Sequence, residues 1–291
     1  MRFIFSILVL LLFNAASWGQ NQPKVDSIFT EGKSVKTISN PELEEMSGMA
    51  ISRKHSNVWY THTDSGGEPI VYFLDLEGNE LGEITLKGVK NRDWEDMAIG
   101  PGPDGMPYIY VAEIGDNLAV HSEVKVYRFP EPENLKEKLE VNPEIATLVY
   151  PGGARDAESL LVDPVDGKLY LVSKRDKRNT LYSFSQEAFG NEGITEMEEH
   201  HKFSFSSSTA ADISSDGSQI LIKNYFAIYH WNREKGQSLI EALIAAPKQL
   251  PYVPEPQGEA IAFEPEGKFF YTISEKRFSI SPVLYRYQAK D

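Results

Sequence analysis

The nine residues Asp93-Trp94-Glu95-Asp96-Met97-Ala98-Ile99-Gly100-Pro101 carry a pattern that the chain repeats. It returns as Asp156-Ala157-Glu158-Ser159-Leu160-Leu161-Val162-Asp163-Pro164 and as Gln257-Gly258-Glu259-Ala260-Ile261-Ala262-Phe263-Glu264-Pro265. Two fainter copies are Glu45-Met46-Ser47-Gly48-Met49-Ala50-Ile51-Ser52 and Ser207-Ser208-Thr209-Ala210-Ala211-Asp212-Ile213-Ser214. Aligned, one column reads Ser47, Glu95, Glu158, Thr209, Glu259, an oxygen-bearing side chain in every copy.

Working outward, four of the five copies run into a turn with a shared form: Pro103-Asp104-Gly105, Val165-Asp166-Gly167, Ser215-Asp216-Gly217 and Pro265-Glu266-Gly267. Glycine after an acidic residue supplies the positive φ of a tight hairpin. Further short strands follow each turn. In the first unit they are read at Gly48–Ser52, Val58–Thr63, Ile70–Asp75 and Gly82–Lys87. The intervals along the oxygen column are 48, 63, 51 and 50 residues. A period near 50 with four strands per unit predicts an all-β fold, a five-bladed β-propeller. Six blades are the alternative. The long interval is assigned to an insertion, Glu133–Glu140, of helical propensity. The outer strand of the fourth unit is placed at Leu239–Ile244, from its position in the repeat. The fifth unit is one strand short, and the stray strand Ser34–Ser39 is expected to complete it, leaving no open edge at the seam.

The ends of the chain and its charge bound the function. Arg2 followed by eleven residues, Phe3 to Phe13, of mainly apolar character reads as a signal peptide over residues 1–19. The run is short of the roughly 20 residues that span a bilayer, so no membrane anchor is expected. Residues 20–33 read as a linker and 34–291 as the propeller. The expected location is secreted or periplasmic. There is no cysteine, which excludes disulfides and thiolate metal sites. A net charge of −14 without an extended basic run argues against a nucleic-acid partner.

Equivalent positions on five innermost strands converge on the propeller axis. Ser47, Glu95, Glu158, Thr209 and Glu259 are therefore candidate ligands of a hard cation, calcium before magnesium, because all offer oxygen. The alternative is that they bond backbone across blades. A second column, Glu45, Asp93, Asp156, Ser207 and Gln257, lies nearer the mouth. The ends of the second strands add Asp64, Glu113, Asp116, Lys174, Arg175, Lys223 and Lys276. Cations beside a metal-bearing mouth favour a small anionic ligand or substrate. Asp93, Asp64 and Asp116 are the candidate catalytic carboxylates. Glu113, Lys174, Arg175, Lys223 and Lys276 are the candidate ligand-binding residues. Nucleophile-elbow, zinc-helix and P-loop signatures are missing.

The series Ser47, Glu95, Glu158, Thr209, Glu259, with Lys174-Arg175 and Lys223, resembles the calcium-activated nucleotidases (apyrases). That resemblance implies a five-bladed propeller with an axial calcium and hydrolysis of nucleoside phosphates. Thr209 stands where that family has serine, and its Asp-Arg-Thr-Gly-like segment is only loosely echoed by Thr63-Asp64-Ser65-Gly66. Trp94-Glu95-Asp96, Ile114-Gly115-Asp116-Asn117 and Glu45-Met46-Ser47-Gly48-Met49-Ala50 resemble a second group, secreted bacterial propellers of the SdiA-regulated and phytase-like kind, which implies little chemistry. Three functions are carried forward: a calcium-dependent phosphohydrolase, a calcium-stabilised propeller that binds a ligand, or a protein at its rim, without catalysis, and a glycoside hydrolase using Glu95 and Glu158.

Overall fold

The computed structural model describes residues 25–290; the segment read as a signal peptide lies outside them. Five sheets, each antiparallel through its blade strands, are arranged as the blades of a propeller. Blade 1 runs outward through Met46–Ile51, Val58–Thr63, Ile70–Asp75 and Glu80–Leu86. Blade 2 comprises Trp94–Pro101, Pro107–Glu113, Val124–Pro130 and Glu144–Val149. Blade 3 comprises Ala157–Val162, Leu169–Ser173, Thr180–Phe184 and Glu198–Lys202. Blade 4 comprises Ser208–Ile213, Gln219–Asn224, Ile228–Asn232 and Lys248–Leu250, and blade 5 Gly258–Phe263, Phe269–Ser274 and Val283–Gln288. The outermost strand of blade 5 is Lys33–Thr37, paired antiparallel to Val283–Gln288. The expected closure and five-blade count hold.

Each innermost strand is buried along its whole length or nearly so. The apolar side chains gather in five clusters, each drawn from two adjacent blades. Ala98, Tyr110, Leu160 and Tyr182 join blades 2 and 3, for example, and Met49, Trp59, Ala260 and Tyr271 join blades 1 and 5. The segment Leu160-Leu161-Val162 is therefore apolar without alternation, because Leu160 and Val162 face one neighbour and Leu161 the other.

Two predicted elements are corrected. Leu239–Ile244 is a helix, not a strand. Ser238 and Glu241 form a reciprocal capping box at its start, and Leu239, Ala242 and Leu243 pack onto Phe203 and Trp231. The insertion read as helical carries instead a strand, Lys138–Val141, which pairs parallel with the outer strand of blade 1. In the same way Ile194–Glu196 pairs parallel with the outer strand of blade 2. The helix lies against the outer strand of blade 3. In each case the connection before a blade's outer strand reaches back and covers the edge of the preceding blade, where unpaired backbone would otherwise be exposed.

The stretch read as a linker also packs. Val25 bridges Gln249 on the outer strand of blade 4. Phe29 is buried against Phe270, with ring centroids 4.9 Å apart. Phe29→Ala should cost about 3–5 kcal/mol, read as a lower urea midpoint with an unchanged slope; a midpoint equal to the parent's would show the segment to be dispensable.

His230, on the third strand of blade 4, is buried with Nε2 against Gln219 Oε1 at 3.3 Å. Burial, aided by Lys248, pushes its pKa down to about 4. A depressed imidazole contributes stability that is complete above the usual value near 6.5 and lost as pH falls through 4. Acidification from pH 7 to 4 should therefore cost the parent on the order of 2–3 kcal/mol more than His230→Gln, measured by denaturant titration at each pH.

Candidate functional site

The innermost strands are bulged where they reach the mouth. Register skips one residue at Glu95, Glu158, Thr209 and Glu259. A bulge re-aims the side chain that it expels from the ladder. In blade 1 the skipped residue is Gly48, not Ser47, which stays in register opposite His62. Gly48 has φ +78°, and a Cβ there would stand 2.6 Å from His62 Nε2. Blade 1 thus offers no side chain at the bulge.

Carboxylates from other positions fill the mouth. One oxygen from each of Asp64, Asp93 and Glu95 lies within 4.8 Å of the others, and the same holds for Glu95, Asp156 and Glu158. Glu95 belongs to both groups. Gly115 makes room for them: a Cβ there would fall on Glu95 Oε1 and the Asp93 carboxylate. Burial, and then Glu158, raise the Glu95 pKa well above the carboxylate range. Burial, and then Asp156, raise that of Asp93. Burial lifts Asp64 to about 6. Glu275 is lifted to about 8 by burial and the nearby Glu259 charge.

The far side of the mouth is already neutralised. Lys174 Nζ is ion-paired with Glu158 and lies 2.8 Å from the Tyr225 hydroxyl, which donates to Glu259 Oε1 at 2.8 Å. Burial opposes the Lys174 charge, but Glu158 and Glu259 outweigh it and its pKa rises. Arg175 Nε pairs with Asp156 Oδ2 at 2.7 Å, and its guanidinium bonds Asn117. Glu259 Oε2 has no hydrogen-bond partner among the described residues. The Asp93 and Glu95 carboxylates accept no hydrogen bond there either; the two backbone carbonyls do, Glu95 from Ser47 Oγ and Asp93 from Gly115 N.

The predicted ring is therefore divided. Ser47 Oγ donates to the Glu95 carbonyl and Thr209 Oγ1 to the Gly258 carbonyl, so both hydroxyls tie one blade to the next. Glu158 and Glu259 face Lys174 and Tyr225, which leaves Glu95 with Asp64 and Asp93. Asp116 does not face the mouth with a free carboxylate, since its oxygens accept from Val120 N and His121 N at 2.9 and 2.8 Å. Glu113 is held by Tyr127 and Arg92 within blade 2. Lys276 pairs with Glu44. Lys223 is wholly buried, 3.4 Å from Glu255, which also accepts from Tyr252 and Thr272.

Three residues complete the mouth: Gly115 and Glu275, which stand in the column of second-strand ends without an assigned role, and Tyr225, which is outside it. Tyr225 and Glu275 follow directly on second strands, as Lys174 does, and that shared position is the signal that marks them. A fourth, Asp96, is fully buried below it and accepts from Met97 N, Leu160 N and Ala211 N, linking blades 2, 3 and 4. Its aligned neighbours are not acidic, so no column reveals it.

No family model matches the chain. No curated protein matches it in sequence. Among solved structures it is similar to a gluconolactonase from Xanthomonas campestris. The TM-score is 0.48 at 11% identity, over 84% of this chain and 72% of that one. The likeness is distant and carries no chemistry to this mouth.

Lys223 is a test of the corrected assignment. Lys223→Met leaves Glu255 buried without its cation and should cost about 3–5 kcal/mol. Pairing it with Glu255→Met should restore much of that loss in urea unfolding. A single variant as stable as the parent would contradict the structural role.

Proposed function

We propose that the mouth is the active site of a secreted, calcium-dependent hydrolase that acts on a small anionic, phosphate-bearing substrate. The observation that carries this reading is the pair Asp93 and Glu95: two carboxylates without protein donors, packed with Asp64 so that their oxygens lie within 4.8 Å of one another. Such a group is stable only when protonated or when a cation offsets the repulsion. Asp64, Asp93 and Glu95 would hold the ion, with Asp156 and Glu158 beside them. The donor set is all oxygen, which suits calcium. When bound, calcium supplies positive charge that polarises a phosphoryl oxygen.

The chain's own groups do the rest. Arg175 extends from the mouth and is more than half exposed, so it can leave Asp156 to meet an anion. Lys174 is held in place by Glu158 and Tyr225 and adds a fixed positive charge behind it. Asp64 and Asp93, only partly buried, would also orient an attacking water, and the Asp93 oxygen that does not hold the ion would accept its proton. The glycosidase alternative is weaker, because Glu158, its proposed partner for Glu95, is occupied by Lys174.

Calcium at about 100 times its dissociation constant should raise the melting temperature by about 5–10 °C, and Glu95→Gln should remove the rise. Phosphate release from a panel of nucleotides and phosphoesters should require calcium, stop with chelator, and fall at least about 100-fold in Asp93→Asn. Stabilisation by calcium without turnover on any substrate would make this a binding propeller. Neither stabilisation nor turnover would defeat the metal site itself.

A further inference from the structure

The loops that join second to third strands surround the mouth, and they are not alike. In blade 3 the loop is basic: Lys174, Arg175, Lys177 and Arg178. In blade 1 it is small and polar, Ser65-Gly66-Gly67. In blades 2, 4 and 5 it carries exposed apolar side chains. Among the valines, leucines, isoleucines, methionines and phenylalanines described, the three most exposed are Leu118, Phe226 and Phe278, at 80%, 81% and 81%. All three are on these loops, with Val120 and Ile280 beside them.

Each apolar tip is tied to the mouth by its neighbours in sequence. Phe226 follows Tyr225, which bonds both Lys174 and Glu259. Leu118 follows Asn117, the partner of Arg175. Phe278 is three residues after Glu275, which feels the Glu259 charge. Phe278 and Ser279 also hold positive φ angles of 51° and 63°, which non-glycine residues rarely adopt. Exposed apolar groups gathered at one end of a molecule mark a contact surface, while scattered ones do not.

We propose that the substrate is an amphiphile. Its phosphate head enters the mouth on the side of Lys174 and Arg175, and its apolar chain lies across Phe226, Phe278 and Ile280 on the adjoining blades 4 and 5. The asymmetry of the rim supports this: a basic blade 3 next to an apolar blade 4 matches a ligand that is anionic at one end and apolar at the other. The inference rests on the reading of the mouth as a site for a phosphate-bearing anion. It adds the chemical class of the rest of the molecule.

The test uses monomeric alkylphosphonates, whose carbon–phosphorus bond is not hydrolysed, titrated calorimetrically in calcium from methyl to hexyl. Dissociation constants should fall about two- to fourfold per methylene. The double variant Phe226→Ser/Phe278→Ser should flatten that dependence. Leu81→Ser, which removes an exposed apolar side chain from the outer strand of blade 1, should keep it. Binding of methylphosphonate with no gain along the series would overturn the amphiphile and leave the phosphate-bearing site standing. A steep dependence that survives the double variant, or is lost in Leu81→Ser, would overturn the placement of the chain. No binding by any member would defeat both readings.

Discussion

The apolar surface of each blade is buried only against its neighbours, so the protein depends on closing its ring. The five clusters of buried side chains each belong to an interface between two blades. A ring left open would expose two of those faces at once. The bond that prevents this is the pairing of Lys33–Thr37 with Val283–Gln288, which joins the two ends of the chain in one sheet. Phe29 and Tyr287 reinforce it from the cluster between blades 4 and 5. Most of the pairing in this fold is between strands close in sequence; the closure is the long-range contact on which the others depend.

The same exposure of edges explains the elements that run against local propensity. Glu133–Glu140 has the composition of a helix, but Lys138–Val141 lies beside the unpaired edge of Glu80–Leu86 and completes it. Tertiary pairing overrides propensity there. Leu239–Ile244 has a pattern that fits strand or helix, and position in the repeat favours strand. The capping box at Ser238 and Glu241 was the local signal for helix. Both segments do the same work of covering the preceding blade, one with backbone and one with an apolar face. A repeat fixes where a connection must lie, but not which kind of element fills it.

At the mouth, packing works against electrostatics. Glu95 and Glu158 are buried beside like charges, and burial is the largest cause of their raised pKa values. Lys174 and Tyr225 relieve one side. On the other side Asp93 and Glu95 face each other and Asp64, and of the three only Asp64 has a protein donor, the Ser65 amide. The fold tolerates this at the open end of the axis, where a cation or water can enter. The buried acids lower down behave differently: Asp96 is satisfied by three backbone amides and Asp212 accepts from Phe263 N. Clusters of buried like charges with raised pKa values are where function concentrates.

The sequence by itself determined the period, the blade count and the closing strand, because those follow from alternation, turn chemistry and a repeat near 50 residues. It also brought Glu95, Glu158 and Glu259 to one end of the axis. It misplaced blade 1 by one residue, since a bulge at Gly48 leaves no mark in composition. It assigned Lys223 and Glu113 to the mouth, because side-chain direction at a strand end depends on register and neighbours. Only the tertiary structure decided that Asp64 stands in for the side chain that Gly48 lacks, that Lys174 closes one half of the ring, and that the exposed apolar loops gather around the mouth. Those are contacts between residues far apart in the chain, and their geometry exists only once the blades have packed.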